Sequence, residues 1–465
     1  MFRSALLILS GNAFTALMLL SRNLIVARLI SVEDYGIAAT FAISMAIVEM
    51  MSTLGLHQLI VQDTDGNDPE LQAGLQGFHL LRSIFSGATL YFLAHPIARF
   101  LGIDEIAWAY QLLALVPLVG GLMHFDIYRL QRKMVYLPSI ISTSFPALLS
   151  VILILPLYQK YDDFRVMLYA VLAQGILSVI FSHLVAKRRY RLAFDPDVIK
   201  RSFRFGWPLL INNILLFAIF QGEKLIVGRE MGMESLALLS IGFTLTLTPT
   251  LILAKSAQSF FLPQLSASKE NPEKFTHLAM ATLQGSLVNG LLLVVGIVLL
   301  GGPMVHLLLG EKYEALIPYL IWLAILHAVR VFKAGGSVVA LSRAQTGNAM
   351  ISNLYRVLSL ALSWYVAASG GTLLSIIWIA TTAEALGYIT SLLLVRYRLK
   401  LSLTNMVLPL FSGVVLLIVA GVYTSGHISA QWAFPILIAL FCLTIVVMKD
   451  LRSYVYHRNL SKYSH

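Results

Sequence analysis

Residues 278–301 read LAMATLQGSLVNGLLLVVGIVLLG, a run without a single charged side chain. A bilayer core ~30 Å thick needs about 20 mostly apolar residues in a helix that rises ~1.5 Å per residue. This stretch alone therefore predicts a membrane-spanning helix. Working outward from it, comparable windows recur at about 5–27, 37–60, 77–99, 107–124, 137–158, 165–186, 206–228, 236–261, 314–334, 349–368, 372–395, 405–424 and 431–449. The links between them are short. With 58% hydrophobic and 12% charged residues over 465 positions, the chain lies far from soluble domains, which average about 25% charged, and no stretch is polar enough to fold separately. The expected class is an all-α polytopic membrane protein of about 14 transmembrane helices.

The net charge of +11 raises the question of nucleic acid, but the cations are sorted by side. With a cytoplasmic N-terminus, 23 of the 34 Lys and Arg fall in cytoplasmic links and tails, among them Arg129, Arg132, Lys133, Lys187, Arg188, Arg189, Arg191, Arg330 and Lys333. About six face the other side: Arg28, Arg99, Lys160, Arg165, Arg229 and Lys312. Excess Lys and Arg in cytoplasmic loops orients membrane proteins, so both termini are expected in the cytoplasm and no nucleic acid is required. The acidic first link (Asp63, Asp65, Asp68, Glu70) does not change this, because acidic residues contribute little to orientation. A single early cation, Arg3, precedes an apolar run with no small-x-small cleavage site, which reads as a retained first span. The one cysteine, Cys442, excludes an intrachain disulfide, and without CxxC or HExxH spacing no metal or other cofactor is implied.

The most basic link, KRRYRLAFDPDVIKRSFR (Lys187–Arg204), carries seven cations after the sixth window. It reads as a joint between a six-helix lobe over 1–190 and a second over 205–400, with 191–204 as the connecting link and 401–465 as two extra helices and a cytoplasmic tail. A shift of 201 positions places Asn12 on Asn213, Leu24-Ile25-Val26 on Leu225-Ile226-Val227, Arg28 on Arg229 and Glu33 on Glu234. Repeats of this kind are common in transporters, which place substrate between them.

Four segments carry a family resemblance: RNLIVARLISVEDYG (Arg22–Gly36), RFGWPLLINNILLFAIFQGEKLIVGREMGMESLALLSIGF (Arg204–Phe243), LPQLS (Leu262–Ser266) and LLLGEKYEALIPY (Leu307–Tyr319). Over roughly residues 1–400 the chain resembles the polysaccharide transporters, the oligosaccharide flippases of the multidrug, oligosaccharidyl-lipid and polysaccharide exporter superfamily. It departs from them at Glu223, where that family often has Asp, and at Leu236-Ala237-Leu238, where a Gly-x-Tyr is common. The resemblance implies two six-helix lobes around a central cavity in the bacterial inner (plasma) membrane. It also implies movement of undecaprenyl-diphosphate-linked oligosaccharide to the outer leaflet for O-antigen, capsule or exopolysaccharide synthesis. Implied partners are membrane lipids, the lipid-linked oligosaccharide, and a polysaccharide polymerase or other assembly proteins.

Charged residues inside the windows are the candidate site. An Arg or Lys at a helix centre costs ~2.5–3.5 kcal/mol on insertion scales and needs a cavity, a partner or a route to the interface. Arg22, Arg82, Lys224, Lys255 and Arg356 meet that description. From the window centres, Arg22 and Lys224 lie roughly 7–10 Å to the outer side, Arg356 near the middle, and Arg82 and Lys255 roughly 9–10 Å to the inner side. A staggered set of cations suits a diphosphate head, which Arg grips bidentately and Lys meets as a point charge. The opposing reading is local pairing, as of Lys224 with Glu223, or snorkelling. The resemblance places the first and eighth spans, with Arg22 and Lys255, along the cavity. Arg28 and Arg229 read as interface anchors. Glu49 and Glu384 are candidates for ion coupling, since a desolvated carboxyl exchanges protons more readily near neutral pH, or else are buried partners of the cations. His57, His79 and His327 show no ligand spacing and read as packing residues.

Two other classes stay open. A drug exporter of the same superfamily would use a carboxylate-dominated cavity, whereas in-span cations here outnumber mid-membrane carboxylates. A membrane polymerase or glycosyltransferase would carry a sizeable loop of catalytic acids, whereas the outer links run about five to ten residues. No Gly-rich phosphate cradle is present. The chain is expected not to be an enzyme.

Overall fold

Three of the longest helices begin at the same local signal. Asp68-Pro69, Asp195-Pro196 and Asn271-Pro272 each place a side-chain acceptor at the N-cap and proline in the first turn. The Asp68, Asp195 and Asn271 side chains accept from the amides of Glu70, Asp197 and Lys274, while proline supplies the right φ and has no N–H to leave orphaned. The helices that follow run 32, 35 and 37 residues, about 48–56 Å at 1.5 Å per residue. Each is longer than a ~30 Å hydrocarbon core, so their capped ends reach beyond it.

A computed structural model describes residues 2–52 and 54–462; the side chains of 2–6, 8, 9, 49–52, 208, 209, 211, 212 and 457–462 fall outside the described set. The described residues form helices and no strand. In order these are α1 (Phe2–Leu29), α2 (Val32–Ser52), α3 (Leu56–Gln62), α4 (Pro69–Phe100), α5 (Ala107–Leu113), α6 (Leu115–Gly120), α7 (Asp126–Arg132), α8 (Leu137–Ile152), α9 (Ile154–Tyr161), α10 (Arg165–Leu184) and α11 (Pro196–Glu230). There follow α12 (Gly232–Ala267), α13 (Pro272–Leu308), α14 (Ile317–Ser342), α15 (Gly347–Ala368), α16 (Leu373–Arg398), α17 (Thr404–Thr424), α18 (Ala430–Val447) and α19 (Lys449–Lys462). Among the described residues eight of the helical stretches are long and apolar enough to cross a membrane.

The predicted windows fall on helices, with three corrections. The 37–60 window is not one helix: α2 ends at Ser52 and α3 starts at Leu56 after Gly55, whose φ of 64° is left-handed and open to glycine at little cost. The 107–124 window is divided at Ala114 into α5 and α6, three residues before Pro117, which has no N–H for the Leu113 carbonyl. The 137–158 window holds as one 25-residue membrane-capable stretch, Leu137–Tyr161, within which α8 and α9 adjoin at Leu153, three residues before Pro156. The 314–334 window stops too early: α14 runs on to Ser342, so Arg330 and Lys333 lie within the helix and not in a link.

The chain comprises two compact units, Met1–Ala237 and Leu238–His465. In the first, α8 packs on α1 and α10, α4 on α5 and α6, and α11 on α2 and α4. Small and hydroxylated side chains carry these contacts, as where Thr15 Oγ1 meets Ser144 Oγ at 2.7 Å, because close approach and interhelical hydrogen bonds replace hydrophobic drive between helices in lipid. In the second unit α13 packs on α14, and α16 packs on both α14 and α15.

Candidate functional site

The densest charged site described in the apolar interior belongs to the second unit, where α14, α15 and α16 meet. Arg330 and Lys333 are three residues apart on α14 and so share a face. Lys333 Nζ lies 2.5 Å from Glu384 Oε1, Arg356 Nε 3.2 Å from Oε2, and Arg330 Nη2 3.5 Å from Oε2. Lys333 Nζ also donates to Asn353 Oδ1 at 2.7 Å. Glu384 and Arg356 are fully buried, with side-chain exposures of 0% and 1%, and Lys333 and Arg330 nearly so. Arg330, Arg356 and Glu384 each sit within about 2 Å of their helix midpoints, and Lys333 within about 5 Å.

The geometry follows from small residues beside the charges. A Cβ on Gly387, one turn from Glu384, would stand 2.3 Å from the Ser352 carbonyl oxygen, so only glycine lets α16 approach the α15 backbone this closely. That approach lets the short Glu384 side chain reach Arg356. Three cations on one carboxylate leave a formal charge of +2 in a buried site. Desolvating ions costs several kcal/mol apiece, which the mutual contacts offset in part. An anionic group offered to this set would meet a field of the right sign.

The other residues singled out in the sequence are spread along both units. On α1, half-buried Arg22 donates from Nη1 to Gln174 Oε1 of α10, and its buried Nε has no hydrogen-bond partner among the described residues. On α4, Arg82 Nη2 is 2.8 Å from His79 Nδ1. Since a guanidinium can only donate, Nδ1 accepts and Nε2 donates to the Gly120 carbonyl at 3.1 Å, which also accepts from the Met123 amide at 3.0 Å. Lys224 is half-buried on α11 beside buried Glu223. Lys255 is exposed on α12. Glu49 belongs to α2, but its side chain lies outside the described residues. Arg229, at the end of α11, donates to the Phe100 carbonyl at 2.7 Å. His327 Nδ1 is 2.8 Å from Thr246 Oγ1. Among the described residues no group of three or more His, Cys, Asp or Glu could hold a metal ion.

Of the residues predicted to bind substrate or couple ions, the structure brings Arg356 and Glu384 into contact with each other. Arg330 and Lys333 complete the cluster although their charge made them look like the end of a span. The signal that points to them is their i, i+3 spacing followed by AGGSVVALS (Ala334–Ser342), apolar and small enough to continue the helix.

A second polar centre lies at one end of the first unit. Asp126 is fully buried and accepts from Arg129 Nε at 2.5 Å and from the Lys187 and Arg188 amides at 2.7 and 3.3 Å. Burial opposes its charge, but the Arg129 hydrogen bond, the Lys187 amide and the Arg129 charge together hold its carboxyl below the usual range. The basic link is thereby fixed on the first unit, and Arg201 adds ion pairs to Asp63 at 2.6 Å and Asp65 at 3.4 Å.

Known proteins agree with this architecture. Residues 25–318 match the family described as "Polysaccharide biosynthesis protein". The teichuronic acid biosynthesis protein TuaB of Bacillus subtilis (strain 168) is 21% identical over 77% of this chain and 74% of its own length. The succinoglycan biosynthesis transport protein ExoT of Rhizobium meliloti (strain 1021) is 23% identical over 65% of this chain and 61% of its own. Among solved structures, the lipid II flippase MurJ in an inward closed conformation aligns with a TM-score of 0.73 at 15% identity, over 98% of this chain and 99% of that one. An inward-facing multidrug resistance MATE family transporter aligns with a TM-score of 0.68 at 16% identity, over 83% and 94%. The fold is that of these transporters.

Proposed function

We propose that this chain, which belongs to the polysaccharide biosynthesis protein family, is a flippase that carries undecaprenyl-diphosphate-linked oligosaccharide from the inner to the outer leaflet of the bacterial inner membrane. The family is one of polysaccharide biosynthesis and the fold is shared with membrane transporters; the transport role, the lipid-linked substrate and the orientation are our reading. The observation that carries it is the sign of the charge held within the apolar helices. Arg22, Arg82, Lys224, Lys255, Arg330, Lys333 and Arg356 stand there against Glu223 and Glu384 among the described side chains.

A diphosphate crossing a medium of low dielectric constant needs compensating charge at each depth. Arg22 and Lys255 supply it where capacity remains. The Arg22 guanidinium has only part of its donor fork engaged, by Gln174, and Lys255 is exposed on its helix. Arg82, Lys224 and Arg356 add charge at other depths, with Arg356 anchored by Glu384. Glu384 acts as the fixed counter-ion that makes three adjacent cations tolerable. An exporter of cationic drugs would need the opposite balance.

Depletion of the protein in its native cell tests this directly. Undecaprenyl-diphosphate-linked sugar should accumulate in the inner leaflet, read by mass spectrometry of extracted lipids and by its inaccessibility to reagents added outside. Absence of that accumulation, together with raised drug sensitivity, would reject the flippase in favour of a drug exporter.

A further inference from the structure

Where the basic link lies against α4, it forms one wall of a cleft of about 300 Å³ lined by Pro69, Gln72, Gln76, Arg188, Arg189 and Arg191. The backbone is tightly placed. Gln76 Nε2 donates to the Arg191 carbonyl at 2.6 Å, the Ala193 amide donates to the Ala73 carbonyl at 3.1 Å, and a Cβ on Gly77 would collide with the Ala193 carbonyl. Arg188 is aimed by neutral acceptors, Gln72 Oε1 at 3.1 Å and the Asn67 carbonyl at 2.8 Å, and not by a carboxylate. Arg189 and Arg191 are exposed. Among the described residues none of the three arginines forms an ion pair. The neighbouring acids are Asp68, which caps α4, and Asp126, which accepts from Arg129 Nε and from the Lys187 and Arg188 amides; the charges of both act on Arg188, whereas among the described residues Arg189 and Arg191 carry no such contact.

We propose that this cleft binds the phosphate of an anionic phospholipid headgroup. Gln72 lies five residues before the apolar window that opens at residue 77, about 7–8 Å along the helix, which is headgroup depth. The same short strand of link offers exposed Leu192 and Phe194 beside the arginines, so apolar contact with the acyl boundary accompanies phosphate contact. A soluble phosphate would have no use for that pairing. Arginine forks fit phosphate oxygens bidentately, and basic pockets at the ends of membrane helices select anionic lipids in this way. The site is separate from the in-span cations and stands whether or not the transported substrate is a lipid diphosphate.

The test uses the purified full chain in neutral detergent with tail-labelled phosphatidylglycerol or phosphatidylcholine, read by fluorescence anisotropy. Wild type should prefer phosphatidylglycerol. Removing two cations as Arg189→Ala with Arg191→Ala should weaken that binding about 30-fold, which is about 2 kcal/mol at 1.4 kcal/mol per decade. The paired Lys substitutions should lose only part of it. As a control for overall charge, Lys200→Ala with Arg204→Ala, exposed cations of the same segment that do not line the cleft, should leave it within twofold. An unchanged phosphatidylglycerol affinity in the double alanine variant overturns the proposal. So does an equal loss in the control pair, or displacement of the lipid by inorganic phosphate as readily as by unlabelled phosphatidylglycerol. If the alanine pair elutes aggregated from gel filtration, the lysine pair decides, and full affinity there overturns the bidentate reading.

Discussion

Replacing Glu384 by Gln removes the one carboxylate from a buried set of three cations while keeping its shape. At an effective dielectric constant of about 20, a unit charge pair at 2.5–3.5 Å is worth roughly 5–7 kcal/mol before the cations' mutual repulsion is counted. That repulsion and the desolvation of each ion cancel most of the sum. Breaking a buried ion pair by deleting one partner costs about 3–5 kcal/mol in practice, and this is the expected loss for Glu384→Gln, since the site passes from a formal charge of +2 to +3. Over a unit the size of residues 238–465, it corresponds to a fall in Tm of about 10 °C. The assay is gel filtration of detergent-solubilised protein after stepwise heating, with abundance in the membrane measured from the same cells. Adding Lys333→Met restores the charge to +2 and should recover at least half of the lost stability. Lys333→Met alone should cost less than Glu384→Gln, and the coupling is read from the double-mutant cycle. A Glu384→Gln protein with unchanged melting and abundance would refute the ionic account of the cluster. A double variant no better than the single would show that packing, not charge, is at stake.

Arg22→Ala and Lys255→Ala should each stop export of the lipid-linked sugar at normal membrane abundance, and Arg22→Lys should retain part of it because Lys lacks the bidentate fork; full export by both alanine variants would make these cations structural. With Cys442 replaced by Ser, cysteines placed singly at the exposed positions Lys200 and Glu311 should react with impermeant maleimide only from the inside and only from the outside respectively, and the reverse pattern would invert the orientation. Asp126→Asn should cost about 3 kcal/mol at neutral pH. Because the folded carboxyl lies below its ordinary value near 3.9, its contribution is complete above about pH 4 and is lost as pH falls through the folded value. The gap between the melting temperatures of variant and wild type should therefore close on acidification and stay constant above neutrality.

The sequence by itself determined the class of molecule, because membrane insertion is a local property: twenty apolar residues and a helix rise of 1.5 Å suffice, whatever the rest of the chain does. The helix starts at Asp68-Pro69, Asp195-Pro196 and Asn271-Pro272 carry a local signal as well, since a cap acts within one turn, but hydropathy opens the windows only at 77, 206 and 278, after the polar first turns. The breaks at Gly55 and before Pro117 carry a local signal too, which the length of the apolar runs concealed. The site was only half legible. Arg356 and Glu384 stand out as charges in apolar runs, but nothing in the sequence pairs them, and Arg330 and Lys333 look like the end of a span. What makes them interior is the close seating of α14, α15 and α16, which brings one buried carboxylate within 3.5 Å of three cations. Likewise, the basic link reads in the sequence as a joint between two lobes, and only the fold shows Asp126, some sixty residues earlier, holding its backbone. Charge is written in the sequence, but the energy of a charge depends on distance and burial, and those are set only when helices remote in the chain pack together.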